Sequence, residues 1–138
     1  MAKITEYKVP NKIKAFGWRM CQNILPTREI LFHRKVIKDR GCEACKQEIE
    51  SVIHVMWECG VSQDAWAGSR ISLQKCPTLM SDMVKLFEWL VDWLAEEDMK
   101  LFLVQCRVLW NQRNAILHGG TIQDPSVLVQ RAETMLHD

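Results

Sequence analysis

Apolar residues in the first third of the chain recur at helical spacing. Ile13, Phe16, Gly17, Met20, Cys21 and Ile24 follow the i, i+3, i+4, i+7 rule of an amphipathic helix. Pro10 stands where such a helix begins. Leu25-Pro26 ends it, because a residue before proline disfavours the α conformation. Trp18 follows Gly17 and is assigned to the same buried stripe. Thr27 is a candidate cap for a second helix, with Glu29 in its first turn and Ile30, Leu31 and Ile37 on its apolar face. Asp39-Arg40-Gly41 reads as a turn. Glu50-Ser51 opens a third helix through Val52, Ile53, Met56 and Trp57, and His54 rides on it. Ser62 is the expected cap of a short fourth helix carrying Ala65 and Trp66.

The same period governs the rest. Pro77-Thr78 punctuates a connection, and Ser81 is the expected cap of a fifth helix with Asp82 just inside. Its apolar set is Met83, Leu86, Phe87, Leu90, Val91 and Leu94. Glu96-Glu97-Asp98 breaks the pattern, with Asp98 expected to cap a long sixth helix. Met99, Phe102, Leu103, Cys106, Trp110 and Leu117 mark its buried stripe. Gly119-Gly120 is a stop signal, and Asp124-Pro125 starts a last helix through Leu128, Ala132 and Leu136. No strand alternation, repeat or low-complexity linker is present. The expected fold class is all-α, a small domain of six to seven helices with one embedded loop that carries Cys42 and Cys45. Residues 1–76 are expected to form a helical region around that loop and 77–138 a C-terminal helical region packed on it.

Composition narrows the class. With 138 residues, 48% hydrophobic and 25% charged, the chain has the balance of an ordinary globular domain able to bury a core. The longest apolar run, Leu101 to Val104, is far too short to cross a bilayer, so no membrane span is expected. The N-terminal residues carry no apolar h-region, so secretion is not expected. The net charge of +1 hides a division, with residues 1–50 at +5 and residues 51–138 at −4. A basic face of that kind suits a polyanionic partner, and it equally suits a solvated surface. The expected location is cytoplasmic or nuclear. Lys3, Lys8, Lys12, Lys14 and Arg19 against Glu6 also give the N-terminus a faint mitochondrial presequence character.

Six cysteines sit at 21, 42, 45, 59, 76 and 106. Cys42, Cys45, His54 and Cys59 form C-x2-C-x8-H-x4-C. Two thiolates on a tight turn take adjacent corners of a tetrahedron, and a His and Cys within one or two helical turns supply the others. That donor set is zinc's, and four protein ligands make the ion structural rather than catalytic. One structural zinc is therefore expected. The alternatives are a reduced C-x2-C beside an unrelated His, or a redox pair, which would need a strand before it and a helix after it. Cys21, Cys76 and Cys106 have no such partners and are assigned to the core.

Several motifs agree in order and spacing with one family. Val9-Pro10-Asn11-Lys12-Ile13-Lys14-Ala15-Phe16-Gly17-Trp18-Arg19 is followed by Leu25-Pro26-Thr27-Arg28. Then come Arg40-Gly41-Cys42-Glu43-Ala44-Cys45, Glu50-Ser51-Val52-Ile53-His54, Cys59 and Trp66. The chain resembles the zinc-binding region of reverse transcriptases in plant LINE-type (non-LTR) retrotransposons. Trp110-Asn111-Gln112-Arg113-Asn114 resembles the W-x-x-R-N stretch that follows it in such elements. The resemblance covers about residues 9–67 and 108–118. It implies a freestanding piece without polymerase fingers, palm or ribonuclease H-like segment, recruited by its host.

No phosphate loop, G-x-S-x-G or H-E-x-x-H occurs, and His33 and His118 lack a paired nucleophile in sequence. No enzyme activity and no small-molecule substrate are expected. The function expected is a non-catalytic, zinc-stabilised module binding RNA or single-stranded DNA, with Lys12, Lys14, Arg28, Arg34, Lys35, Lys38 and Arg40 as candidate contacts. Trp57 and Trp66 are candidate stacking platforms, although helical spacing favours the core for both. The alternative is a repurposed protein-interaction module, binding a host protein with an interfering or cytotoxic effect, or self-associating. Trp89, Trp93, Trp110 and Arg113 are the candidate contacts for it.

Overall fold

A computed structural model describes residues 3–69, 71 and 82–137. Cys76, Pro77, Thr78 and Ser81, named above, lie outside these residues. Among them the chain forms α-helices with one π-helical turn and no sheet. A short α1 (Lys3–Glu6) precedes α2 (Asn11–Cys21), which buries Ile13, Phe16, Gly17, Met20 and Cys21. Trp18 is the exception to the sequence reading, at 48% exposed. Each residue advances about 100° around a helix, so Trp18 falls past the edge of the stripe that ends at Gly17 and Cys21. Ile24 is exposed because α2 has already ended. Gly17 has a packing reason. A Cβ there would stand 3.1 Å from Leu103 Cδ2, so glycine lets α2 approach its neighbour closely.

Helix α3 (Arg28–His33) is capped by Thr27, whose side chain accepts from the Ile30 N–H. None of its own residues is buried; Ile30 and Leu31 are only half-covered. The chain then loops to residues 52–53, which lead into a π-helical turn (His54–Glu58). Helix α4 (Gly60–Ala67) follows with Cys59 at its cap position. Ser62 is not that cap. It lies inside the first turn and donates its hydroxyl to the Cys59 carbonyl at 2.8 Å.

Helix α5 (Met83–Trp93) is capped by Asp82, whose carboxylate accepts from the Lys85 N–H. It buries Met83, Leu86, Phe87 and Leu90. Helix α6 (Glu96–Leu117) starts earlier than expected. Glu96, Glu97 and Asp98 occupy its first turn, where carboxylates complement the helix dipole, so Asp98 is not the cap. Its burial is also wider than a stripe, since Leu101 through Cys106 are all buried. Such a helix is enclosed, and α6 is flanked by α2, the π-helical turn and α7 (Pro125–His137). Leu117 at its end is 36% exposed, not buried. The stop is a double-bonded turn, with Gly119 at φ +89 and Gly120 N–H returning to the Ala115 carbonyl. Asp124 caps α7 through the Ser126 N–H and hydroxyl.

One apolar cluster runs from Ile4 to Ala132. Cys21 and Cys106 lie in it, and burial pushes the Cys21 thiol up to about 12 and Cys106 well above its ordinary value. Both behave as small apolar residues.

Candidate metal centre

Cys42 and Cys45 lie on a tight backbone loop. The Cys42 N–H donates to the Glu48 carbonyl and its own carbonyl accepts from Lys46 N–H, both at 2.8 Å. Gly41 and Ile49 pair across the loop in a single antiparallel bridge. Lys46, at φ +60, turns the chain after the second cysteine. Asp39 Oδ1 accepts from the Gly41 N–H, which makes the expected turn at 39–41.

The second pair comes from the π-helical turn. Ser51 Oγ accepts from the His54 N–H, so the lead-in is capped by serine. The Cys59 N–H then donates to the His54 carbonyl, five residues back, at 2.8 Å. In an α-helix, residues five apart point about 140° away from each other. The wider turn brings His54 and Cys59 back toward one side. Widening leaves carbonyls to satisfy, and α4 supplies the donors. Trp66 Nε1 reaches the Met56 carbonyl at 2.8 Å, and Gln63 Nε2 reaches that of Trp57.

All four ligand atoms of Cys42, Cys45, His54 and Cys59 lie within 4.8 Å of one another. His54 Nε2 and Cys45 Sγ are 3.5 Å apart. With zinc–sulfur near 2.3 Å and zinc–nitrogen near 2.0 Å, a tetrahedral edge is about 3.5 Å. The set therefore fits one zinc ion. A hydrogen bond from Cys59 holds the Cys42 thiol down at about 3 against the opposing effect of burial. His54 and the N–H groups of Cys45 and Ala44 act in the same direction. These contacts favour the thiolate form of Cys42, the form that binds metal. That same hydrogen bond and burial push Cys59 up. Burial lowers His54, but the Cys42 and Cys45 sulfurs outweigh it and raise the imidazole to about 9.

These features can now be set beside known proteins. Residues 1–66 match the family described as zinc-binding in reverse transcriptase. This part of the chain is therefore similar to that family. A plant relative from Arabidopsis thaliana, which carries the provisional name of a ribonuclease H protein, is 27% identical over 107 residues. The alignment takes in 75% of this chain and 17% of the relative, so the chain spans only a small part of that protein's length. No solved structure matches.

The zinc-binding region is tied to α6 by Glu50, which the sequence reading placed only at the start of a helix. Glu50 is 1% exposed and its carboxylate meets Arg113 in a two-pronged ion pair, with Nη2 at 2.6 Å and Nε at 3.1 Å. It also accepts from the Arg28 N–H at 2.8 Å. Arg113 continues to the Pro26 carbonyl and Asn114 Oδ1, and its guanidinium lies 4.6 Å over the Trp110 ring. Trp110 is 5% exposed. Trp110 and Arg113 therefore do not offer the exposed partner surface that the sequence suggested, because both are used within the chain. The signal for Glu50 was present in its place one residue before the serine cap.

The other candidates separate in the same way. Trp57 and Trp66 are core, in ring contact at 5.9 Å, and Trp66 stacks on Phe102. Trp89 is half-buried and stacks on Trp93, which is 57% exposed. Arg28 is largely covered, with its guanidinium facing Asp39 and Glu43 at 3.6 and 3.4 Å, so it is not free for a phosphate. Lys12 is exposed and lines a hollow with Arg131 of α7, while Lys14 is half-buried. Arg34, Lys35, Lys38 and Arg40 are exposed, and among the described residues none is paired with a carboxylate.

Proposed function

We propose that this chain is a non-catalytic module that binds nucleic acid, with zinc held by Cys42, Cys45, His54 and Cys59 as the scaffold. One observation carries the reading. The unneutralised cations Arg34, Lys35, Lys38 and Arg40 lead directly into the metal loop, so the ion fixes the end of a basic segment. Four protein ligands fill a tetrahedral zinc and leave no position for substrate. RNA or single-stranded DNA is the partner class. The name of the Arabidopsis relative refers to a ribonuclease, which favours the same class.

Titration of the zinc-loaded protein with labelled single-stranded and duplex RNA and DNA at two salt concentrations tests this. Phosphate contacts give an affinity that falls steeply with salt. Absence of binding even at low salt overturns the reading.

The exposed Trp93, stacked on Trp89, favours a second reading in which α5 associates with another protein or with a second copy. Sedimentation of wild type and Trp93→Ala separates the two. A monomer unaffected by the substitution removes self-association.

A further inference from the structure

Helix α3 ends in a sharp turn. Lys35 sits at φ +61, and its N–H returns to the Phe32 carbonyl at 3.0 Å while the Val36 N–H returns to Leu31 at 2.9 Å. This double-bonded stop normally uses glycine, and a lysine there is uncommon. The turn fixes the direction of the next residues. Phe32, His33, Lys35, Ile37 and Lys38 line one open hollow beyond it.

The hollow has two chemistries side by side. Phe32 is half-exposed, and His33 meets it edge-on with ring centroids 5.7 Å apart. The Arg40 guanidinium lies 5.0 Å over the same ring. Ile37 adds an apolar wall. Lys35 and Lys38 bring positive charge, and the nearby carboxylates of Asp39 and Glu43 are turned toward Arg28. A flat apolar body flanked by negative charges matches this arrangement. An unpaired nucleotide has that form, whereas a duplex hides its base faces.

We propose that this hollow receives one unstacked base of a single-stranded nucleic acid. The base lies against Phe32 and Ile37, and the flanking phosphates meet Lys35, Lys38 and Arg40. The proposal rests on the nucleic-acid reading above and assigns it a place and a strand preference. It puts recognition on the helix before the metal loop rather than on the buried tryptophans behind it.

The test uses the full zinc-loaded chain with a twelve-residue oligothymidine, the same backbone without bases, and a duplex of equal length. The intact single strand should bind best, and removing the bases should weaken it by about tenfold. Phe32→Ala should bring the intact strand down to the level of the abasic one. Lys35→Gln and Lys38→Gln should each lower the salt slope by about 0.7. Zinc stoichiometry and helicity check each variant, and Phe32→Leu, which keeps apolar bulk without an aromatic face, should show the same loss if the alanine variant misfolds. Folded Phe32 variants that bind as wild type overturn the hollow while leaving the nucleic-acid reading intact. Equal binding of the abasic strand, or of polyglutamate, means simple charge attraction and also overturns it. A wild type that binds no oligonucleotide removes both.

Discussion

The metal loop and the bundle of α2, α5, α6 and α7 are held together by different forces. In the bundle, whole helix faces are buried, and α6 is covered on every side along Leu101 to Cys106. In the stretch from α3 to the π-helical turn, α3 buries no residue at all, and Ile49 and Val36 are exposed. What organises that stretch is directional: backbone bonds around Cys42, the four convergent ligand atoms and the Glu50 carboxylate. Apolar burial is additive and tolerant of small changes, whereas a closed polar cluster fails when one member is lost. The two regions should therefore come apart under different insults.

The largest effect should follow loss of the metal. Structural zinc contributes on the order of 10–16 kcal/mol of binding energy to small zinc-folded peptides, and that energy is folding energy. Cys42→Ser, or a strong chelator, should abolish zinc binding and release amide exchange protection across residues 28–59. The amides of α6 should stay slow. Acid should act in the same direction, since thiols and imidazole must lose protons to bind; lowering the pH from about 7 to about 5 should release the ion. Uniform loss of protection along the chain would show that the two regions are one cooperative unit.

The Glu50–Arg113 pair is where that separation is expected to fail. Arg113→Ala leaves a carboxylate at 1% exposure with the Arg28 N–H as its remaining donor. Breaking one side of a buried pair costs about 3–5 kcal/mol. Urea unfolding should show a loss of that order, together with weaker zinc binding. Adding Glu50→Gln to the Arg113→Ala background should recover part of both, since it removes the stranded charge. If zinc affinity stays at the wild-type value, the pair holds α6 to the loop without supporting the metal.

These two regions were also unequally legible in the sequence. The ligand set could be read because metal chemistry constrains residue type and spacing together, and Cys42, Cys45, His54 and Cys59 do converge. The helices could be read because burial imposes a period. Trp18 was misplaced because it was assigned to the stripe on its position next to Gly17, and the helical period already put it off that stripe. Asp98 and Ser62 were mistaken for caps because their residue types suit a cap anywhere near a helix start, and the backbone chose Ala95 and Cys59. The π-helical turn has no residue signature of its own, and only the need to join His54 to Cys59 marks it. Arg113 read as a surface group because its partner Glu50 lies 63 positions away, and no local pattern records a contact of that range.

The smallest effect concerns a place in α6, among the described residues, where the bundle departs from its own logic. Thr27, Glu50, His54, Ser62 and Gln112 are buried and each finds a hydrogen-bond partner. Gln105 is fully buried in the middle of α6, and among the described residues neither its Nε2 nor its Oε1 has one. An unsatisfied buried group costs about 1–3 kcal/mol, and methionine has nearly the same length and flexibility without the polar atoms. Gln105→Met should therefore stabilise the protein by about 1–2 kcal/mol and raise the melting temperature by a few degrees. Zinc affinity should not change, because the gain lies in the bundle and not in the loop. A lower melting temperature would mean that Gln105 has a partner beyond the described residues, and that the bundle, like the loop, is pinned at one point by a directional bond.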